Sequence, residues 1–536
     1  MSSHVSRRTF LTRAMGLTGA IGAGSLAAGG LVAGSPVSAF GAPRLNRGGR
    51  PLLTHGLQSG DVTTSSATLW TRADREATML VEVALDPEFR HARRIPGSPL
   101  LASADFTGKT MITGLPAGSD VYYRITPLGD GDHDRAGQQL TGHFRTVARD
   151  RRDISFVWSG DLGGQGWGID VDRGGYKIFE AMRKLSPDFY LCNGDNIYAD
   201  DPIEATQVMH NGETWNNLVT EEKSKVAETL DEYRGNYKYN LMDENLKRFY
   251  AEVAQIQQWD DHETHNNWYP GEILDDPLYT EKRTDVLKWR SVQAYHEYVP
   301  INPVYDPSRH NKEGRIYRTL HEGPLLDVFV LDMRWYRDAN SPDKQAFNDG
   351  GILGYEQQRW LQQELLDSTA TWKVISNDMP LTEVVVDGTT DFEAVAQGDN
   401  GRPMGRELQI AEILRFIKRH KITNVVWVTT DVHYTAAHYF DPDKAAFSDF
   451  DPFWQFTSGP LNAGAFPFDA TDSTFGAQQV FGKAPDYSNA DPATEFQFFG
   501  EIKIDGGSEV MTVNLRDNSG AVLWSKELDP QRPGRR

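Results

Sequence analysis

From Pro51 to about Thr146 the chain alternates apolar and polar residues in short segments, such as Ala67-Thr68-Leu69-Trp70-Thr71 and Val121-Tyr122-Tyr123-Arg124-Ile125, separated by Gly, Pro, Asp and Ser turns. Period-two alternation bounded by turn residues predicts strands with one buried face, and a series of them predicts a β-sandwich. Past the polar connector Ala148-Arg149-Asp150-Arg151-Arg152 the texture changes. Continuous apolar runs now alternate with helical stretches, the pattern of an α/β region whose strands are covered on both faces. The runs are Ile154 to Ser159, Phe189 to Asn193, Ile256 to Trp259, Leu326 to Asp332, Lys373 to Ser376 and Val425 to Thr429. Between Asp201 and Ala254, segments such as Glu221-Glu222-Lys223 and Leu230-Asp231-Glu232-Tyr233-Arg234 predict helices with exposed charged faces. The alternation from Phe499 to Leu528 predicts a hairpin that completes a sheet.

The first forty residues follow a different logic. A basic start containing Ser6-Arg7-Arg8-Thr9-Phe10-Leu11, a Gly/Ala-rich apolar stretch from Met15 to Gly34, and the small residues Val37-Ser38-Ala39 predict a twin-arginine signal peptide. Glycines dilute the apolar stretch, so a permanent membrane anchor is the weaker reading. The expectation is therefore an exported protein, extracellular or in the periplasm or cell wall, whose one transient partner is the twin-arginine translocon. The division expected is signal peptide 1–39, linker 40–50, β-sandwich 51–148, catalytic domain 149–528 and tail 529–536.

Composition narrows the picture. The chain of 536 residues is long enough for two domains. Its single cysteine, Cys192, excludes an internal disulfide, and its place in Phe189-Tyr190-Leu191-Cys192 reads as a buried strand residue rather than a reactive thiol. A formal net charge of −20 excludes a nonspecific grip on nucleic acid or anionic lipid.

The candidate chemistry follows successive predicted strands: Gly160-Asp161, Gly194-Asp195-Asn196-Ile197-Tyr198, Asp260-Asp261-His262-Glu263, Asn377-Asp378 and Thr430-Asp431-Val432-His433. Each alone reads equally as a cap or turn, but strand ends are where sites assemble in α/β sheets. Carboxylates, imidazole and amides without thiolates suit hard or borderline cations such as Fe, Mn, Zn, Mg or Ca. Paired cations would offset the clustered negative charge and activate water for displacement at phosphorus.

The order of these motifs resembles the calcineurin-type metallophosphoesterases, and more closely the alkaline phosphatase D (PhoD-like) family. The resemblance covers almost the whole mature chain. It adds Thr54-His55-Gly56-Leu57-Gln58-Ser59-Gly60-Asp61, Leu69-Trp70-Thr71-Arg72, Trp259 before the Asp260 turn, Asn266-Asn267-Trp268, Leu331 to Arg337, Gln358-Arg359-Trp360-Leu361 and Phe456-Thr457-Ser458. The fold it implies is α/β (α+β): an N-terminal fibronectin III/Ig-like β-sandwich followed by a metallophosphoesterase ββ-sandwich flanked by helices.

The resemblance also implies roles. Asp195 would bridge two metals, with Asp161, Tyr198 and His433 completing a first site of ferric type, as in purple acid phosphatases. The second metal, Ca or else Mn, Zn or Mg, would draw on Asp195 and Asp431, with Asp261 and Asn266 as competing ligands and Asn377 standing where relatives use histidine. His262 would protonate the leaving group, while Arg334 and Arg337 either hold phosphate oxygens or brace loops through ion pairs. One departure is Asp161, which stands where many relatives place a cysteine ligand. His265 and His438 lie off the matching positions and read as structural. The loop Gly163-Gly164-Gln165-Gly166-Trp167-Gly168 reads equally as a substrate approach and as a connector.

The implied activity is secreted, metal-dependent phosphoric ester hydrolysis by a monomer, on mono- or diesters. A phospholipase D-like diesterase acting on lipids is the alternative within catalysis. A non-catalytic secreted binding protein of the same fold is the alternative outside it.

Overall fold

The computed structural model of the chain describes residues 49–129, 133–301, 314–348 and 350–531. The predicted signal peptide, most of the 40–50 linker and residues 532–536 of the tail lie outside them. The N-terminal strands are β1 (Leu53–Gly60), β2 (Ser66–Ala73), β3 (Ala77–Ala84), β4 (Arg93–Leu100), β5 (Thr107–Thr113), β6 (Asp120–Leu128) and β7 (Leu140–Arg145). Then come β8 (Ile154–Ser159), β9 (Phe189–Cys192), β10 (Thr206–Val208), β11 (Thr214–Asn216), β12 (Ala254–Gln257), β13 (Arg318–His321), β14 (Leu326–Val330) and β15 (Trp372–Ser376). The rest are β16 (Val386–Asp387), β17 (Asp391–Phe392), β18 (Val425–Thr429), β19 (Thr435–Phe440), β20 (Phe453–Ser458), β21 (Ala477–Lys483), β22 (Phe498–Ile504), β23 (Met511–Asp517) and β24 (Val522–Leu528). The α-helices are α1 (Lys177–Lys184), α2 (Leu230–Asn240), α3 (Glu244–Glu252), α4 (Thr284–Tyr298), α5 (Gly354–Asp367) and α6 (Glu407–His420).

Two large sheets form the centre. A nine-stranded sheet runs β24-β23-β22-β8-β9-β12-β1-β2-β5, and a seven-stranded sheet runs β13-β14-β15-β18-β20-β19-β21. Within them β8, β9 and β12 are parallel, as are β14, β15, β18 and β20. Alternate residues of each strand serve two cores. Phe156, Trp158, Leu191 and Ile256 share one apolar cluster with Val328, Val374, Val428 and Phe456 of the facing sheet. Their neighbours Val157, Tyr190 and Cys192 join a second cluster with residues of α1 to α4. Phe329, Ile375 and Trp427 pack beneath Leu361 and Leu365 of α5 and Ile410, Ile413 and Leu414 of α6. The result is four layers, helix, sheet, sheet and helix. Both faces of each central strand are apolar because both are covered, and each large side chain so buried contributes about 1.5–3 kcal/mol.

Side-chain caps set where two of the helices start. Thr229 and Glu232 form a capping box at α2, and Asp243 accepts from Leu246 N at 2.9 Å at α3.

The N-terminal strands divide between two sheets. β4-β3-β6-β7 form a separate four-stranded antiparallel sheet, while β1, β2 and β5 extend the nine-stranded one through the parallel pairing of Gly60 with Gln255. Leu57, Leu69 and Ile112 therefore share a core cluster with Val81 and Val121, and also with Phe156 and Val328.

Three local expectations are corrected. The segment after Phe499 is a three-stranded meander at the sheet edge, not a hairpin. The strand expected at Ile256 to Trp259 lies at Ala254–Gln257, because Gln255 and Gln257 are buried in it and bond side chain to side chain at 2.6 Å. Part of the region after Asp201 forms the β10-β11 hairpin, and α2 buries Tyr233, Arg234, Gly235 and Asn236 while its Asp231 stays exposed.

Candidate metal centre

The turns that follow the parallel strands of both sheets meet at one end of the sandwich. Four of their residues adopt left-handed backbone: Asp161 (φ 64°), Asp195 (φ 49°), Asp431 (φ 71°) and His433 (φ 59°). Such conformations are costly for side chains other than glycine and concentrate where geometry serves chemistry. Gly194 (φ 114°) allows the contact between turns, since a Cβ there would lie 2.5 Å from Asp260 Cβ.

Three overlapping groups of acidic and imidazole side chains result, each with ligand atoms within 4.8 Å of one another: Asp161, Asp195 and His433; Asp195, Asp261 and His262; Asp260, Asp261 and Asp431. Asp195 belongs to two of them and Asp261 to two. Tyr198 Oη lies 2.7 Å from His433 Nε2, which is 3.7 Å from Asp161 Oδ1. His433 Nδ1 lies 2.5 Å from the Gly464 carbonyl, and donation there leaves Nε2 as the lone-pair nitrogen facing the acids. Asn377 donates through Nδ2 to Met379 O, while its buried Oδ1 has no hydrogen-bond partner in the protein.

The negative charge is concentrated out of water. Burial, and then Asp261, Asp260 and Glu263, push the Asp195 carboxyl well above the usual carboxylate range. Burial together with Asp195 and Asp161 raises the Tyr198 phenol in the same way. Asp261 goes the other way, because Arg334 and His262 overcome the upward push of burial. Oxygen and nitrogen donors converge on too little positive charge, which is the electrostatic condition for holding cations.

His262 sits between a carboxylate and the Tyr198 ring. Its Nδ1 lies 2.7 Å from Asp200 Oδ1 and its ring tilts over Tyr198 at 4.1 Å. Burial lowers its pKa, but Asp200 and Asp261 outweigh this and carry it up to about 9. Asp200, absent from the expected site, also accepts from Asn266 N at 2.8 Å. Asn266 itself enters the hydrogen-bond network through that backbone group.

Glu263 is a second residue that the motif reading left without a role. Its carboxylate takes Asn196 N at 2.7 Å, Asp260 N at 2.8 Å and Asp195 N at 3.2 Å, so it holds two acidic turns together. The Asp260-x-x-Glu263 spacing, which lets a side chain reach back to a backbone N–H, was the available signal. Asp200, two residues past Tyr198, carried no comparable signal.

Both arginines are buried among partners within the protein. Arg334 is 0 % exposed, with Nε 2.5 Å from Asp260 Oδ1, Nη2 3.6 Å from Asp261 Oδ1, and Nη1 paired with Glu393. Arg337 donates to Asn340 Oδ1 at 2.6 Å and to the Glu393 carbonyl. Both guanidinium groups are buried from solvent among these partners.

His265 contacts Asp276 at 3.8 Å and His438 contacts Glu383 at 3.4 Å, both outside the acidic groups. Cys192 is buried and its thiol is pushed up to about 12, chiefly by burial. The 163–168 loop packs over Tyr198 and is tied by Trp167 Nε1 to Asn489 Oδ1 at 2.7 Å.

Comparison with known proteins follows the same lines. A family model described as PhoD-like phosphatase matches residues 156–515, and one described as PhoD-like phosphatase, N-terminal domain, matches residues 40–148. Alkaline phosphatase D of Bacillus subtilis (strain 168) is 28% identical over 407 residues, which span 71% of this chain and 64% of that protein. This chain thus matches less than two thirds of that relative's length. A solved structure of PhoD superposes with a TM-score of 0.66 at 22% identity, covering 91% of this chain and 90% of that one. Purple acid phosphatase PPD1 from yellow lupin (Lupinus luteus) seeds gives 0.54 at 11% identity, covering 90% and 74%. At these identities the two structural likenesses are likenesses of fold.

Proposed function

This chain belongs to the PhoD-like phosphatase family, and on that premise we propose that it is an exported, metal-dependent phosphoric ester hydrolase. The observation that carries the reading is Asp195, shared between the Asp161–His433 group and the Asp261–His262 group, as a ligand bridging two cations must be. Asp161, Tyr198 and His433 would hold the first ion. Their donor set, with a phenol and with Asp161 in place of a thiolate, favours Fe(III). Asp261 and Asp431, with the Asn377 carbonyl and Asp260 or Asn266 beside them, would hold the second. Oxygen donors favour Ca there, with Mn, Zn or Mg as the alternatives. Bound cations would polarise the phosphoryl oxygens and lower the pKa of water.

The chain's own residues supply the rest. His262, steadied by Asp200, holds a proton for the departing ester oxygen. Arg334 balances the acidic turns from inside, and Glu263 fixes their spacing.

The same proposal includes export. Residues 6–11 and 37–39 support the twin-arginine route, and the protein would act outside the cytoplasm as a monomer. In the N-terminal region the facing of β1, β2 and β5 with β4-β3-β6-β7 around one core supports a fibronectin III/Ig-like sandwich.

The test is turnover of p-nitrophenyl phosphate and bis-p-nitrophenyl phosphate by protein purified after export, with and without chelator. Chelator-sensitive turnover of at least one ester is expected, and His262→Gln should slow esters of poor leaving groups most. Metal-replete protein that turns over neither ester would overturn the reading.

A further inference from the structure

The N-terminal motifs around Gln58 and Trp70 lie outside the acidic turns, yet both end on one helix that reaches them. The last carbonyls of a helix have no partners within it. At the C-terminus of α4 three side chains from three N-terminal strands supply them. Gln58 Nε2 of β1 donates to Tyr298 O at 3.2 Å, Trp70 Nε1 of β2 to Glu297 O at 2.7 Å, and Lys109 Nζ of β5 to His296 O. Donors and a cation at this end also suit the helix dipole. Tyr298 donates to Asp105, which Arg72 holds at 2.7 Å.

A second line runs through Asp61. Its carboxylate pairs with Arg318 at 2.8 Å, and Arg318 Nη1 donates to the carbonyl of Gln257, three residues before Asp260, at 3.0 Å. Only glycine fits at position 60, because a Cβ there would meet Pro300 O at 2.6 Å and Gln255 O at 2.8 Å.

The inner side of α4 completes the path. Ser291 Oγ donates to the Glu263 carbonyl at 2.5 Å, and Tyr295 meets Trp259 edge to face at 5.1 Å. Glu263 then holds the N–H groups of Asp195, Asn196 and Asp260. Two short chains of contacts therefore connect β1 and β2 to the turns that carry Asp195, Asp260 and Asp261.

We propose that Gln58, Asp61 and Trp70 are positioning residues of the acidic centre: through α4 and Arg318 the N-terminal strands fix the Asp195 and Asp260–His262 turns. The cation chemistry invoked rests on the function proposed above, but the placement of the turns can be read without it. Carboxylates set before a cation arrives need no reorganisation when it binds, and loss of a ligand's direct partner weakens metal binding about 10–100-fold, which is the upper bound for support passed through α4 and Arg318.

The test compares full-length, chelator-treated protein with the double variant Trp70→Phe/Asp61→Asn, which removes one N–H donor and one charge while keeping an aromatic ring at position 70 and the side-chain size at position 61. Hydrogen exchange is followed in peptides spanning 194–198 and 259–264. Exchange about tenfold faster than in the parent is expected in both peptides. On reloading, the chelator concentration that strips half the metal should fall by a similar factor, and kcat should drop with KM unchanged. Val81→Ala, a core change in the four-stranded sheet, should lower the melting temperature and leave the two peptides alone. If the double variant does not fold, Ser291→Ala cuts the same path closer to the turns and carries the same expectation. Variants that melt earlier while both peptides exchange within twofold of the parent would overturn the proposal. A parent with no chelator-sensitive turnover would instead overturn the hydrolase reading.

Discussion

Two buried polar regions of this molecule handle charge in opposite ways. Around Arg406 every guanidinium N–H is used: Nε meets Asp338 Oδ1 at 3.1 Å, Nη1 the carbonyls of Phe392, Glu393 and Ala394, and Nη2 those of Asp338 and Ala339 together with Asn340 Oδ1. Around Asp195, five carboxylates from Asp161, Asp195, Asp260, Asp261 and Asp431 crowd together with Arg334 as the buried arginine among them. There Asp260 Oδ2 and Asn377 Oδ1 are buried without a hydrogen-bond partner. A structural charge is balanced within the protein because an unbalanced one costs several kcal/mol. A region left negative on this scale is compatible with bound cations.

The largest expected effect breaks the acidic side of the comparison. Asp195→Asn should lower turnover about 1,000-fold or more, since an amide bridges two cations poorly. Stability should move the other way once cations are stripped. With chelator present the variant should melt above the parent, because one of five repelling carboxylates has gone. Thermal melts with and without chelator check this, and a variant that melts lower in both conditions would count against a cation-balanced site.

The balanced side should break differently. Arg406→Met leaves Asp338 and six other acceptors facing an apolar side chain. A loss of about 3 kcal/mol in urea unfolding is expected, independent of chelator. Relief of Arg337 limits the loss, because that guanidinium is held low by burial and then by Arg406 and Arg334. A chelator-dependent loss would mean that the two regions are coupled.

The difference between these regions also explains what the sequence could say. Strands covered on both faces are continuous apolar runs, so Ile154–Ser159 and Val425–Thr429 are readable to the residue. β12 lies two residues upstream of its expected place because its buried glutamines bond to each other, which no hydropathy pattern records. The candidate ligands were legible because acidic residues recur after strand after strand. Their supports were not. Asp200 and the caps on α4 act through contacts between segments distant in sequence, Glu263 shows only its spacing from Asp260, and an arginine that holds phosphate looks the same in sequence as Arg334, which holds three carboxylates. The join of the N-terminal strands to the first sheet depends on one pairing, Gly60 with Gln255.

Beside Arg406 a third solution appears, and its effect shows only as the pH changes. Glu407 is 1 % exposed, accepts from Met404 N at 3.2 Å and Gln397 Nε2 at 3.5 Å through Oε2, and has a buried Oε1 without a hydrogen-bond partner. Among the described residues no cationic side chain is paired with it, so a proton balances it. Burial, and then Asp472, push its carboxyl from 4.5 up to about 8. The folded protein therefore binds a proton that the unfolded chain releases near its ordinary value. The stability this proton contributes is fully present below about pH 4.5 and is lost as pH rises through about 8, with a slope of up to roughly 1.4 kcal/mol per pH unit. Glu407→Gln keeps the neutral shape and removes the titration. Urea unfolding at pH 5, 7 and 9 should show the variant gaining on the parent as pH rises, with the gap levelling above about pH 8. Parallel stability profiles for the two proteins would mean that the Glu407 charge is already met inside the fold, as that of Arg406 is.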